Sequence, residues 1–398
     1  MDFISKVKYI VIEREKMKFE SNGNTILFSL PQRIDSTNAA SVEKDIMEVL
    51  NSGNYNAIEF DAEAMEYISS AGLRIILRIQ KKYQEVIVIN ASDSVYDIFS
   101  VTGFTDIIWV LKKLKNISVQ GCELIGEGKN GKVYRLNDEV VIKVFRESTD
   151  LETIYMEREL TRFAFVAGIN TIIPFDVVMV DEKYYGTVYE LSCSPSVTSQ
   201  IRKKPEKTDE YIRLMVNVLK DIHKCTTDID EIPSAKEKII EQTEYIKDYF
   251  DSNYYEKLCR MHQYIPESNH IVHNDFHLNN VNISSNGEAV ILDMETLSKG
   301  DPIMEFSSMY ASFQAFRFFG DNFFEIDMMQ LSYIWEQLVR EYFGVEDISE
   351  IEDKCKLIVL PRVLRWALRK DPNNTQLIEF CKNTLIELID SKEEDFLK

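Results

Sequence analysis

The sequence predicts an α/β domain followed by an α+β domain of two lobes, the first lobe strand-rich and the second helical. Three observations carry this. Short apolar runs alternate with amphipathic helical runs from residue 16 to 114. A hairpin-like pair of strands with a glycine-rich tip then leads into an apolar strand holding one lysine. Finally, 398 residues with 45% hydrophobic content exceed what one core holds and can fill two or three. The expected boundary lies between 114 and 115, with the strand-rich lobe over 121–191 and the helical lobe over 192–398.

In the first domain the reading is strand from Thr25 to Leu30, helix from Ala39 to Asn51 and strand from Ala57 to Asp61. A helix from Ser70 to Tyr83, a strand from Val86 to Asn90 and a short helix from Val95 to Thr102, stopped by Gly103, complete it. Leu73, Ile76 and Leu77 fall on neighbouring ridges, so the middle helix is amphipathic and packs on a sheet. Runs such as Val86-Ile87-Val88-Ile89 read as strands buried on both faces.

The second domain opens with Gly126-Glu127-Gly128-Lys129-Asn130-Gly131-Lys132-Val133, followed by Val141-Ile142-Lys143-Val144. Flanking apolar alternation makes this a hairpin whose tip, bare of side chains at Gly126, Gly128 and Gly131, can close over phosphates, with Lys143 reaching them as a mobile point charge. A carboxylate must hold that lysine. The helical run from Leu151 to Val166 offers Glu157 and Glu159, and Glu159 is favoured. Downstream stand His273-Asn274-Asp275-Phe276-His277, then Asn280, then an apolar strand ending at Asp293. The spacing lets one loop put the Asp275 carboxylate beside an attacking hydroxyl and turn the Asn280 amide oxygen toward a magnesium ion, with Asp293 as second oxygen ligand.

From about Gly121 to the C-terminus these motifs resemble the aminoglycoside phosphotransferase and choline kinase group, the small-molecule branch of the protein-kinase-like fold. The resemblance extends to Leu292-Asp293-Met294-Glu295, to Gly300-Asp301-Pro302-Ile303-Met304-Glu305, where glutamate replaces the usual final aspartate, and to Leu219-Lys220-Asp221-Ile222-His223. It implies ATP and Mg2+, with adenine against Tyr189-Glu190-Leu191-Ser192, so that Glu190 and Ser192 bound the nucleotide. Glu295 is then placed to assist the metal or its waters. The implied activity is transfer of the γ-phosphoryl group to a hydroxyl of a small molecule: an amino alcohol, an aminoglycoside or a sugar-like compound. His277 stands where protein kinases usually have lysine, and no Ala-Pro-Glu follows Asp293. The alternatives are a protein serine kinase and an ATP-sensing signalling module acting through the first domain.

The stretch from Phe60 to Arg74, with Tyr67-Ile68-Ser69-Ser70-Ala71-Gly72-Leu73 at its centre, resembles the signature of STAS domains, the anti-sigma-factor antagonist family. The resemblance places a phosphoacceptor at Ser70 and implies a protein partner. Ser70 reads equally as the cap of the helix it begins, where an added phosphate would meet the positive end of the helix dipole.

Residues 1–115 carry 14 basic and 16 acidic side chains of the chain's 46 and 66, leaving a net charge of −18 on the remainder. This disfavours nucleic acid and anionic membrane as partners and suits a cationic acceptor, although much of the excess also reads as solvated helix face. Six cysteines without a C-x-x-C pair read as reduced thiols of a cytoplasmic protein. The first eight residues lack the apolar core of a signal peptide. His262, His270, His273 and His277 read as structural or loop residues, because nearby thiol support for zinc is limited to Cys259.

Overall fold

β-branched and aromatic runs separated by amphipathic helices build a six-stranded sheet over residues 10–112. Its strands are β1 (Ile10–Ile12), β2 (Phe19–Asn22), β3 (Thr25–Ser29), β5 (Ala57–Asp61), β7 (Glu85–Ala91) and β8 (Trp109–Lys112). They lie side by side in that order. The first three pair antiparallel, and β3, β5, β7 and β8 pair parallel, as helical crossovers require. The computed structural model describes residues 10–12, 18–83, 85–128, 130–192, 194–314 and 324–396. Lys129 of the glycine-rich loop, Cys193 and the N-terminal octapeptide lie outside them.

Helices α1 (Ala39–Leu50), α2 (Ser70–Gln80) and α3 (Asp93–Val101) supply the crossovers. Ile26, Phe28, Ile58, Phe60, Val88 and Phe99 are fully buried and form the centre of this core. A small parallel ladder of β4 (Arg33–Ile34) and β6 (Tyr67–Ile68) sets the entry to α2. Glycine is required just inside that helix: a Cβ at Gly72 would lie 2.6 Å from the Ile68 side chain and 2.8 Å from that of Ile34.

Contacts divide the chain into two units, residues 1–121 with 144–152 and 177–186, and residues 122–143, 153–176 and 187–398. The first unit runs past 114 because β9 (Asn116–Ile117) pairs in parallel with Met179 and Val180 at the end of β13 (Pro174–Val180).

In the second unit β10 (Glu123–Glu127) and β11 (Gly131–Arg135) form the antiparallel glycine-rich hairpin. Val140–Phe145 (β12) and Tyr184–Glu190 (β14) also lie partly within it, as does Leu151–Val166 (α4). The helical part holds α5 (Val197–Lys203), α6 (Thr208–Lys224), α7 (Ala235–Tyr245) and α8 (Ser252–Gln263). After the loop region come α9 (Pro302–Phe313), α10 (Met328–Phe343), α11 (Ser349–Lys370) and α12 (Thr375–Phe396). Their apolar faces close one large core around Phe276, Phe306, Phe313 and Trp335. Two short antiparallel ladders hang on that core and present the loops around Asp275 and Asp293: Ile271–Val272 with Ser298–Lys299, enclosing the hairpin of Val281–Ile283 with Ala289–Ile291.

Among the described residues, Cys122, Cys225, Cys259, Cys355 and Cys381 are free thiols, and no helix is long and apolar enough to cross a membrane.

Candidate active site

Lys143 comes from β12, a strand buried on both faces through Val141, Ile142, Val144 and Phe145, and is itself partly buried. Its Nζ donates to Glu157 Oε1 at 2.8 Å and stands 3.3 Å from Asp293 Oδ1 and 3.4 Å from Glu295 Oε2. Burial opposes charge on the lysine, but Asp293, Glu157 and Glu295 outweigh it and raise its proton affinity above the ordinary value.

Glu157, not the favoured Glu159, holds this lysine. The correction follows from helix geometry: two residues apart on α4 the carboxylates point to nearly opposite faces. Glu157 shares its face with buried Ile154, Leu160, Thr161 and Ala164, whereas Glu159 pairs with Arg158 and Arg162. Glu157 is buried, accepts a second hydrogen bond from the Tyr189 hydroxyl at 3.1 Å, and is pushed up to about 7 by desolvation against the opposing pull of Lys143. Tyr189, weighed in the sequence as a surface for adenine, is thus committed to Glu157. The Glu190 side chain beyond it is exposed, its N–H donates to Ile173 O at 3.0 Å, and Ser192 follows two residues on.

At the glycine-rich tip, Gly128 N–H donates to Gly131 O at 2.9 Å. Asn130 Nδ2 reaches both oxygens of Glu295, at 2.6 and 2.8 Å. A Cβ on Gly126 would meet only Val133 at an ordinary 3.8 Å, and one on Gly128 would meet nothing within 4 Å. The protein's own packing therefore does not require glycine at 126 or 128, while a ligand lying against the loop would.

The loop after Ile271–Val272 is fixed by its backbone. Asn274 adopts φ +62°, a left-handed turn that asparagine tolerates. His273 donates from Nε2 to Leu292 O at 2.9 Å and accepts the Asp275 N–H on Nδ1 at 3.2 Å, which fixes the orientation of the ring. Asn280 Nδ2 donates to Asp275 O at 2.9 Å and lies 3.3 Å from its Oδ2. Burial first, then the charges of Asp293 and Glu295, pushes Asp275 up to about 6 against the pull of His273 and Arg362. His277, whose Nε2 is 3.8 Å from Asp275 Oδ2, is held down to about 4, mainly by burial, and stays neutral.

Glu305, marked in the sequence only as a glutamate where aspartate is usual, has a role that the sequence did not suggest. Asp301 caps α9, its Oδ1 accepting from Ile303 N–H at 2.9 Å. Glu305, fully buried one turn on, instead accepts from the backbone N–H of His273 and of Phe276 and so braces the loop on both sides of Asp275. His223 Nε2 stands 3.8 Å away, while its Nδ1 meets the Tyr342 hydroxyl at 2.7 Å. Burial alone would raise the Glu305 carboxyl; the two imidazoles and the His273 N–H hold it below the ordinary range.

A hard divalent cation takes oxygen ligands. Carboxylate oxygens of Glu157, Asp293 and Glu295 lie within 4.8 Å of one another. Asp293 sits at φ +63°, at the end of the Ala289–Ile291 strand and the start of a 3-10 turn. With Asn280 Nδ2 donating to Asp275, its amide oxygen remains an acceptor, and with the carboxylates of Asp293 and Glu295 it makes an all-oxygen set of the kind magnesium takes. The structure thus brings Lys143, Asp293 and Glu295 into one cluster, Asp275 and Asn280 into another, and leaves Glu159 out of both.

In the first unit, the loop before α2 places Ser69, not Ser70, at the cap: its hydroxyl accepts from Ala71 N–H at 3.2 Å. The reason is backbone geometry, since Ser69 is extended (φ −89°, ψ 173°) and Ser70 is already helical. Ser70 is exposed.

Residues 16–117 match the profile of the STAS domain, and residues 121–330 match that of a phosphotransferase enzyme family. The "Putative anti-sigma factor antagonist BtrV" of Bordetella bronchiseptica is 25% identical over 96 residues, 23% of this chain and 82% of that protein. Among solved structures, aminoglycoside phosphotransferase APH(4)-Ia is 14% identical over 68% of this chain and 94% of its own, with a TM-score of 0.49. The streptomycin–ATP–APH(2")-IIa ternary complex is 16% identical over 69% of this chain and 93% of its own, with a TM-score of 0.44.

Proposed function

This chain belongs to the phosphotransferase enzyme family, with an N-terminal STAS domain before a kinase-like fold, and from that premise we propose that it transfers the γ-phosphoryl group of ATP to a hydroxyl of a small molecule. The observation that carries the reading is the Lys143–Glu157 pair, 3.3–3.4 Å from the carboxylates of Asp293 and Glu295 and beneath a glycine hairpin tied to Glu295 through Asn130.

Gly126, Gly128 and Gly131 admit phosphates close to backbone N–H groups, and Lys143, aimed by Glu157, neutralises the α- and β-phosphates. The peptide groups around Glu190 and Ser192 meet the adenine edge. Asn280 and Asp293, with Glu295 assisting, would hold magnesium, which would neutralise the charge developing on the transferred group. Asp275 receives the proton of the acceptor hydroxyl as its oxygen bonds to the γ-phosphorus; the bond from that phosphorus to the β–γ bridging oxygen breaks, and ADP leaves with that oxygen. A carboxyl pushed up to about 6 suits this task near neutral pH. Glu305 and His273 keep Asp275 in place, so most of the rate comes from positioning.

Amino alcohols, aminoglycosides and sugar-like compounds are the acceptor classes consistent with the family. In this reading the STAS domain is a docking or regulatory module for a protein partner, with Ser70 as a phosphoacceptor.

The test is transfer of label from γ-labelled ATP to a panel of hydroxylated compounds, with fluorescent-nucleotide titration in parallel. Asp293→Asn and Asp275→Asn should each abolish transfer while the circular dichroism spectrum stays that of the wild type. Undiminished transfer by Asp293→Asn would sink the assignment of the site.

A further inference from the structure

Beside the loop that carries Asp275 lies a cavity of about 270 Å³, lined in part by Lys238, Gln242, Asn274, Thr296, Ser308 and Arg362. Its charge is opposite to that of the chain. Two cations line it and no carboxylate does among the described residues, in a protein of net charge −20. Lys238 on α7 donates to Ser298 Oγ at 2.9 Å, and Arg362 on α11 donates from Nη1 to Ser308 Oγ at 2.9 Å. Both partners are neutral hydroxyls, and among the described residues neither cation has a carboxylate within 4 Å. A guanidinium has five donors, and Arg362, partly buried, gives one to a hydroxyl and keeps the rest of its fork for an anion. Burial lowers the proton affinity of both groups, and for Arg362 only the charge of Asp275 pulls the other way. Sites for drug-sized ligands run about 300–1,000 Å³, and this cavity falls just below that range, a size that suits a small acceptor.

We propose that this cavity is the acceptor subsite and that it selects small hydroxyl compounds carrying a carboxylate or a phosphate, held by Lys238 and Arg362 while the hydroxyl faces Asp275. The proposal rests on the phosphotransfer reading and narrows its acceptor. It also reverses the expectation from net charge, because the charge that matters is the one lining the cavity: a cationic amino alcohol would meet Lys238 and Arg362 head on. Fork-shaped Arg362 supplies the bidentate recognition of the oxyanion, and Lys238 a second point charge from the neighbouring helix.

The experiment fills the nucleotide site with MgADP and titrates the full-length protein with inorganic phosphate and with malonate by calorimetry. Wild type should bind at least one of them, and Lys238→Met and Arg362→Met should each weaken that binding about tenfold or more. Phosphate bound but not malonate names a phosphate-bearing acceptor, and the reverse names a carboxylate. Should Arg362→Met fail to fold, Lys238→Met, whose side chain replaces a partly exposed stem, decides the matter. In the label-transfer assay glycerate or glycerol 3-phosphate should outperform glycerol and ethanolamine. Absence of anion binding in the wild type, or binding indifferent to both substitutions, would overturn the proposal. If MgADP itself fails to bind, the phosphotransfer reading falls instead; if it binds and the anions do not, only the acceptor proposal falls.

Discussion

His262 donates from Nε2 to the carbonyl of Leu357 at 3.0 Å, the acceptor that Pro361, four residues later in α11, leaves without its helical N–H. Proline in the middle of a 22-residue helix would otherwise strand a buried carbonyl. His262 is 1% exposed, and its Nδ1 lies 3.0 Å from the Thr243 hydroxyl. The helix so repaired carries Arg362 at the next position.

Burial holds the His262 imidazole down to about 4, against the smaller opposing pull of the Leu357 carbonyl. A histidine whose folded value lies below its unfolded value of about 6.5 binds its proton first in the unfolded chain, so its stabilisation is present above about 6.5 and is lost as pH falls toward 4. Over that window the loss is about 3 kcal/mol at 1.36 kcal/mol per pH unit. Urea unfolding of wild type and His262→Gln across this range should show the stability gap between them narrowing toward low pH. A gap independent of pH would show that the ring does not titrate in this way.

A second prediction separates two neighbouring carboxylates. Glu157→Gln should lower the rate of transfer at limiting ATP by at least about tenfold, since misplacing Lys143 by one hydrogen bond forfeits roughly 1.4 kcal/mol or more. Glu159→Gln, which disturbs only the surface pairs with Arg158 and Arg162, should stay within about twofold of wild type. Steady-state kinetics with ATP varied would decide, and equal losses in the two variants would contradict the geometry.

That case also shows how far the amino-acid pattern could be read. The α/β alternation before residue 114 was legible because each element carries its own period, and the strand from Ala57 to Asp61 and the helix beginning at Ser70 stand where expected. The choice of Glu157 was legible in principle, since Ile154, Leu160 and Ala164 mark its face at helical spacing. Ser69 and Ser70 are the same residue type in sequence, and only the backbone angle tells which one caps. Glu305 was not legible as a brace, because the groups it meets are backbone N–H groups 29 and 32 residues away. The pairing of His262 with the gap left by Pro361 spans 95 residues and likewise leaves no local trace. Lys238 and Arg362 line one cavity from two helices far apart in the chain, a local grouping that net charge, an average over the whole surface, does not register.

A third prediction concerns Glu305. Glu305→Ala removes the acceptor for two buried N–H groups and leaves His223 facing an empty site, at a cost of about 3 kcal/mol. Because the folded carboxyl titrates below its unfolded counterpart, this contribution is present above the unfolded value and disappears as pH falls through the folded one. Glu305→Gln, which keeps one acceptor oxygen, should recover part of the stability yet still lower kcat more than it raises KM for the acceptor, because the loop around Asp275 loosens. A variant that is less stable but turns over normally would make Glu305 a purely structural residue.

The last prediction concerns the two serines before α2. Ser69→Ala removes the hydroxyl that accepts the Ala71 N–H and should cost the STAS domain about 1 kcal/mol. Ser70→Ala, at an exposed first helical position with no cap bond, should leave its stability within about 0.5 kcal/mol. The two roles are therefore separable: the residue that fixes the helix start is not the one best exposed to modification. A phosphate on Ser70 would lie at the N-terminus of α2, where free N–H groups and the dipole favour it, so phosphorylation should raise rather than lower the melting temperature. Intact-mass spectrometry after incubation with MgATP, followed by peptide mapping, tests whether the chain modifies itself there. A mass increase in wild type that vanishes in Ser70→Ala and persists in Ser69→Ala is the expected pattern. If the increase follows Ser69 instead, capping and modification compete for one hydroxyl, and phosphorylation would weaken the start of α2.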